Sequence, residues 1–208
     1  KSNYSFLNQN YNNELDNNIF NLKLDKNRSN ISDVEIFLNT KNNNINTREF
    51  KKYFNVQKSL VEDQIINIDS NFLINFSIDD KFNINKLDIN SDLSFDNLDI
   101  NFKSNLVKKY LENFENKISI KDPNLSFQYF NDIISFQLDG KYSLNNKKDN
   151  FFIKFEGNEN NFEFYSLLDL DKNILNLRDI QYYKKNNIPA KLEILLNKSK
   201  KGFNLKKI

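Results

Sequence analysis

Between Asn71 and Phe102 the residues alternate too regularly for any common structure except strand. Phe72, Ile74, Phe76 and Ile78 occupy every second position, with Asn75 and Ser77 between them. That is the two-residue period of a strand with one dry and one wet face. Phe82, Ile84, Leu87 and Ile89 follow, then Leu93, Phe95, Leu98 and Ile100. Folding the second run on the third about Asn90-Ser91-Asp92 sets Ile89 against Leu93, Leu87 against Phe95, Ile84 against Leu98 and Phe82 against Ile100. A one-residue slip would destroy that register. A turn at Asp79-Asp80-Lys81 sets Ile78 opposite Phe82 and Phe76 opposite Ile84. The alternation changes phase between Ile84 and Leu87 and again between Phe95 and Leu98. Either both strands bulge there or the dry side moves to the other face.

Upstream, the polar residues 1–45 carry three strand-like islands: Tyr4 and Phe6, then Phe20, Leu22 and Leu24, then Val34, Ile36 and Leu38. Two stretches switch to helical spacing. In residues 47–58, Asn46 and Glu49 make a capping-box-like start ahead of Phe50, Tyr53 and Phe54. In residues 105–115, Leu106, Val107, Tyr110, Leu111 and Phe114 form a stripe, and Lys108, Lys109 and Glu112 face away, the two lysines as an ordinary solvated surface. A helix followed by strands thus occurs twice, which suggests sub-repeats 1–116 and 117–208 within a single segment.

From Ile118 onward the pattern is a meander. Leu125, Phe127 and Tyr129 pair with Leu138, Phe136 and Ile134. Phe136 and Leu138 pair with Leu144 and Tyr142 around Asp139-Gly140-Lys141, and Tyr142 and Leu144 face Ile153 and Phe151. Phe155 meets Phe162, Ile153 meets Phe164 and Lys154 meets Glu163. Leu170 meets Leu175 and Leu168 meets Leu177. Each strand pairs with the next, so contacts are local and the sheet grows in one direction.

Composition excludes much chemistry. The 208 residues contain no His and no Cys, which removes the usual zinc, haem and iron–sulfur ligands, the Ser–His and Cys–His nucleophile pairs, and disulfides. No metal or other cofactor is expected. A net charge of +2 with 20 Phe argues for a folded domain despite a mean hydropathy of -0.71. Crowded Asn, Lys, Ile and Phe, beside the lone alanine Ala190, match the codon bias of an AT-rich genome. No apolar run reaches membrane-span length and no signal peptide is visible. With no Met even at position 1, the chain is expected to be cut from a longer one.

The last third carries a more particular phrase, LLDLDKNILNLRDIQYYKKNNIPAKLEILL. A strand ending in Asp-Leu leads to an aromatic-lysine turn and then a Pro-Ala pair before another strand. Through Asp169, Leu170, Leu175, Leu177, Tyr182, Tyr183, Lys184, Pro189 and Ala190 it resembles the AsmA-like family of bacterial envelope proteins, in particular the large YhdP-type members. The stretch LVKKYLENF is similar to the short helical segment that interrupts their sheets. The chain differs in having no Trp and few glycines. The resemblance covers about 45 residues; it implies a mainly β fold, an elongated twisted antiparallel meander curled into a half-pipe groove, with two short helices. It also implies a span of a periplasmic bridge in a Gram-negative bacterium. Such a bridge is anchored in the inner membrane outside this segment and carries phospholipid between the inner and outer membranes for outer-membrane biogenesis.

An apolar strand face must be covered by something. Acyl chains would gain roughly 0.8 kcal/mol per CH₂, so about 10 kcal/mol for a chain of about 16 carbons. The candidate lining is Phe76, Ile78, Phe82, Ile84, Phe127, Phe136, Leu138, Ile153, Phe155, Phe162 and Phe164, with phospholipid acyl chains as the partner of a monomer. The competing reading of those residues is the core of a β-sandwich adhesion or interaction module on a cell surface. Catalysis is not expected, since the pair Asp79-Asp80 suits turn chemistry. A calcium β-roll lacks its Gly-rich nonapeptide. Nucleic-acid binding lacks a basic stripe, and Lys198, Lys200, Lys201, Lys206 and Lys207 make only a basic tail.

Overall fold

A computed structural model describes residues 11–13, 18–26, 32–48, 51, 60–111, 114–200 and 202–207. The chain is mainly β. Its strands are β1 (Tyr11–Asn13), β2 (Asn18–Lys26), β3 (Ser32–Asn46), β4 (Ile65–Ile78), β5 (Ile84–Phe95), β6 (Asn97–Asn101), β7 (Lys117–Phe130), β8 (Ile133–Leu144), β9 (Lys147–Gly157), β10 (Phe162–Asp169), β11 (Leu175–Leu177), β12 (Tyr182–Lys184), β13 (Lys191–Ser199) and β14 (Gly202–Lys207). A helix, α1 (Asn105–Tyr110), separates β6 from β7, and a 3₁₀ turn (Arg178–Ile180) separates β11 from β12. One antiparallel 12-stranded sheet follows the order β1-β2-β3-β4-β5-β7-β8-β9-β10-β13-β14, with β6 paired to β7. Its outer strands β1 and β14 do not pair with each other, so it stays open. The islands at Phe20–Leu24 and Val34–Leu38 form β2 and β3. Tyr4 and Phe6 lie outside the described residues.

Several expected hairpins are instead the middles of long strands. Asn90-Ser91-Asp92 is not a turn: β5 runs straight through it, with Ile89 opposite Ile74 and Leu93 opposite Ser70. Asp92 there accepts a 2.7 Å hydrogen bond from Ser126 across the β5–β7 ladder. Asp139-Gly140-Lys141 likewise lies inside β8. Gly140 marks a close approach, since a Cβ there would stand 2.9 Å from Pro123 Cα and 3.2 Å from the Lys121 carbonyl. Pro123 sits in a β7 bulge between Lys121 and Asn124. The β8–β9 turn is Asn145-Asn146 and the β7–β8 turn is Asn131-Asp132. Both residues of each turn have positive φ, as the tight turns matched to strand twist require.

The β7–β8 register is the expected one: Leu125 faces Leu138, Phe127 faces Phe136 and Tyr129 faces Ile134. Elsewhere the pairings slide. Ile78 faces Ile84, and Phe155 faces Phe164 because the β9–β10 turn is shorter than expected. Leu138 faces Ile153, while Tyr142 faces Asp149. Leu170 and Leu175 form no hairpin. β10 skips to β13, with Leu168 opposite Leu192, and β11–β12 make a separate two-stranded sheet. The phase changes are bulges. One lies in β5 at Lys86, opposite the step from Asn75 to Ser77. The other is the bend at Asp96, whose carbonyl accepts from Asp122 N in the facing β7 bulge.

The second expected helix is shorter than its stripe. Ser104 caps α1 through Val107 N at 3.2 Å, and Leu111 is already extended, bridging to Leu175. Of the first helix, Thr47, Arg48 and Lys51 are described and helical. Glu49, Phe50, Tyr53 and Phe54 lie outside the described residues. The buried cluster is Phe114, Tyr142, Leu144 and Phe151, with Val107 and Leu111 packed on it from the α1 side.

Candidate functional site

Residues paired across an antiparallel ladder share a face, so the register can be followed from strand to strand. Starting in β2, it runs Phe20, Leu38, Phe72, Ser91, Phe127, Phe136, Phe155, Phe164, Leu196 and Leu205. One position from each successive strand of the sheet gives a row that is apolar throughout except at Ser91. At about 4.8 Å between neighbours, its ends lie about 43 Å apart along the sheet. The row beside it runs Leu22, Ile36, Ile74, Ile89, Tyr129, Ile134, Gly157, Phe162, Lys198 and Phe203 on the same face. The alternate positions are mostly polar: in β7, Asn124, Ser126 and Gln128 are exposed while Leu125, Phe127 and Tyr129 are half-buried. This is one amphipathic sheet.

Most of the expected lining residues fall on the apolar face. Phe127, Phe136, Phe155 and Phe164 are successive members of the first row, and Phe162 belongs to the second. Phe76, paired with Val34, and Ile78, paired with Ile84, extend the face towards the β4–β5 turn. Leu138 and Ile153 pack against the Tyr142 cluster. Phe82 departs from the set. It stands in the turn at φ 62°, 84% exposed, and joins no face. Missed were Phe20, Leu38, Phe72, Leu196 and Leu205, whose strands had no assigned partner or a misplaced one.

Aromatic contacts run along the face. The Phe136 and Phe155 rings stack at 5.4 Å, Phe155 meets Phe162 at 5.3 Å, and Phe162 meets Phe203 edge-on at 6.2 Å. Lys198 Nζ lies 6.0 Å from the Phe162 ring and 5.6 Å from the Phe203 ring, and donates to the Glu159 carbonyl. A cation sits well over aromatic faces because of the ring quadrupole. Shallow hollows elsewhere on the sheet lie largely on the polar side, for instance among Asn90, Asp92, Ser126 and Gln128. Short side chains leave those gaps.

One end of the apolar face is covered. There α1 and the segment from Leu170 to Ala190, which leaves the sheet between β10 and β13, pack around Tyr142 and Phe151. Polar contacts fix this cover. The Tyr142 hydroxyl donates to the Asp169 carbonyl. Asp149 accepts from Lys172 N at 3.0 Å and from Asn173 Nδ2 at 2.9 Å. Lys184, 1% exposed, donates to the carbonyls of Asp171, Asn173 and Lys185 at 3.1, 2.8 and 3.1 Å. Burial holds the Asp149 carboxyl above its ordinary range against those donors, and burial followed by the nearby carboxylates raises the Tyr142 phenol.

The acidic pair at the β4–β5 turn is occupied by turn geometry. Asp79 accepts from Lys81 N, Asn83 N and Asn83 Nδ2, at 2.9, 2.9 and 2.8 Å. Among the described residues no group of carboxylates could hold a metal ion.

Fold and site together define an open antiparallel sheet with one continuous apolar face, covered at one end by a helix and a hairpin. Comparison with protein families, curated proteins and solved structures finds no match.

Proposed function

We propose that this chain carries phospholipid acyl chains along the apolar face of its sheet, as one span of an AsmA-like bridge between the inner and outer membranes. It works in the periplasm of a Gram-negative cell, held to the inner membrane by an anchor outside these residues, and contributes to outer-membrane biogenesis. The observation that supports this reading is the row from Phe20 to Leu205. Its apolar side chains follow the sheet across its strands and continue past the helix and hairpin that cover one end. A lining without regular polar anchors holds a hydrocarbon chain by burial alone and lets it slide, because the gain per CH₂ is the same at each step. Ser91 is too small to interrupt the row sterically. The sandwich reading needs a facing sheet, and the described residues contain only the small β11–β12 pair beyond the main one.

A photoreactive phenylalanine analogue replacing Phe136 is expected to cross-link phospholipid, identified by mass spectrometry of the purified adduct. The same analogue replacing Gln137, on the polar face, is expected to remain free of lipid. Lipid-free protein, or equal labelling at both positions, would end the proposal.

A further inference from the structure

The meander's widest break among the described residues comes where the chain leaves the sheet after Asp169 and returns at Lys191, paired with each other at the base. What it displays there is unusual for a solvated loop. Ile180 is 71% exposed, Tyr183 53%, Ile188 46% and Tyr182 45%. Large apolar side chains held outward in one short stretch require an explanation beyond scattered surface hydrophobes. They are not on a loose loop. Lys184 at its centre is buried and bonded to three carbonyls, Asp149 fixes Lys172 and Asn173, and Asp171 accepts from Ala190 N at 2.9 Å.

Among the described residues the exposed charge around these residues is mostly basic. Lys108 and Lys109 on α1, with Lys172, Arg178 and Lys185 on the excursion, are exposed there. Among the described residues, Asp179 pairs with Lys109 at 2.6 Å and so ties α1 to the hairpin tip, and Glu115 is exposed beyond the end of α1. The whole chain balances 30 basic against 28 acidic residues, so this is a local concentration. Tyrosine and isoleucine beside Lys and Arg, on a prearranged surface, match the layered chemistry of a bilayer interface. Aromatic rings sit at headgroup depth, aliphatic groups reach below, and cations face anionic lipid.

We propose that the hairpin from Arg178 to Ile188, together with Lys108 and Lys109, is a docking surface for an anionic phospholipid bilayer. This contact is separate from the apolar row, because it lies on exposed outer positions of the excursion while the row lies on the sheet. It supplies a membrane contact to the carrier reading but does not require it.

The test is sedimentation of the full chain with vesicles of phosphatidylcholine, alone or mixed with phosphatidylglycerol. Binding is expected to the mixed vesicles and to weaken as salt is raised. The double variant Arg178→Gln with Lys185→Gln should partition more than about tenfold more weakly, since each removed surface cation alone is worth several-fold, and Tyr182→Ser with Tyr183→Ser should weaken binding by losing the interfacial rings. These side chains are exposed, so thermal unfolding should be unchanged; Ile65→Ser, 69% exposed on the polar side of β4, serves as a control that keeps binding. As a second readout, Tyr183→Trp places the single Trp of the protein in the patch, and its emission should shift to the blue on adding mixed vesicles. Wild-type protein that ignores mixed vesicles at low salt, or patch variants that bind as well as wild type, would overturn the proposal. Self-association through the patch without vesicle binding would also overturn it. Lipid extracted from the purified protein bears only on the carrier reading, so the two can fail separately.

Discussion

At single positions the fold rests on tight backbone contacts as much as on apolar burial. Gly140 has no room for a methyl, with Pro123 Cα, the Lys121 carbonyl and the Phe151 ring all around the place it would occupy. Gly140→Ala should therefore cost about 1–3 kcal/mol, because the obstruction is mainly backbone and cannot rotate away. A lowered urea midpoint with unchanged slope would register it. Asp79 shows how a turn becomes pH-dependent. The Asn83 side chain, then its backbone N–H, hold the carboxyl below the ordinary range, with the Lys81 N–H helping and burial opposing. A carboxyl lowered in the folded state adds stability above its unfolded pKa, and that stability disappears as pH falls through the folded value. Below about pH 4 the wild-type melting temperature should thus fall more steeply than that of Asp79→Asn. Parallel curves would show that the turn does not sense the proton.

Whole elements explain which parts of the fold were legible in the residues. The β7–β8 pairing was readable because both strands alternate cleanly and the short turn between them leaves one register. Phe127 opposite Phe136 follows from that alone. The false hairpins arose where a polar trio, Asn90-Ser91-Asp92 or Asp139-Gly140-Lys141, sits within a strand that has neighbours on both sides. There the polar groups bond across the ladder instead of turning the chain. Asn is so common in this chain that Asn-Asn at 145–146 carried no special signal, although its two positive φ values make it the real corner. Of the candidate lining, the members on β7–β10 share a face in spite of shifted pairings, since sliding by two residues preserves the side on which a residue points. Phe82 was misplaced because the turn is longer than the one assumed. Lys184 gave no warning in sequence that it would be buried. Its ammonium satisfies three backbone carbonyls, the Asn173 bond fully buried. Lys184→Met should therefore cost about 3 kcal/mol or more and speed hydrogen exchange first in Leu175–Lys184. Loss spread evenly over the sheet would argue against a local clip.

Across the whole molecule, the apolar row and the excursion divide the labour. The row depends on many strands, each contributing one side chain, so no single substitution removes it. The excursion concentrates its contacts in a few polar groups near Asp149 and Lys184. Pairing between neighbouring strands dominates the sheet, which lets it be built strand by strand, although its long ladders join residues well apart in sequence and so form slowly. The β10–β13 pair is the exception that skips two strands, where β5–β7 skips one, and it must wait for the intervening residues. That exception has its own use. Asp169 opposite Lys191, with Leu170 N bonded to the Ala190 carbonyl at 2.8 Å, closes the base of the excursion like the stem of a stem-loop. Extra residues spliced into its apex would leave the stem's register alone, and each doubling of loop length costs only about 0.6 kcal/mol. The scaffold can thus accept a new head at this point, and change what it touches, while the strands beneath stay in register.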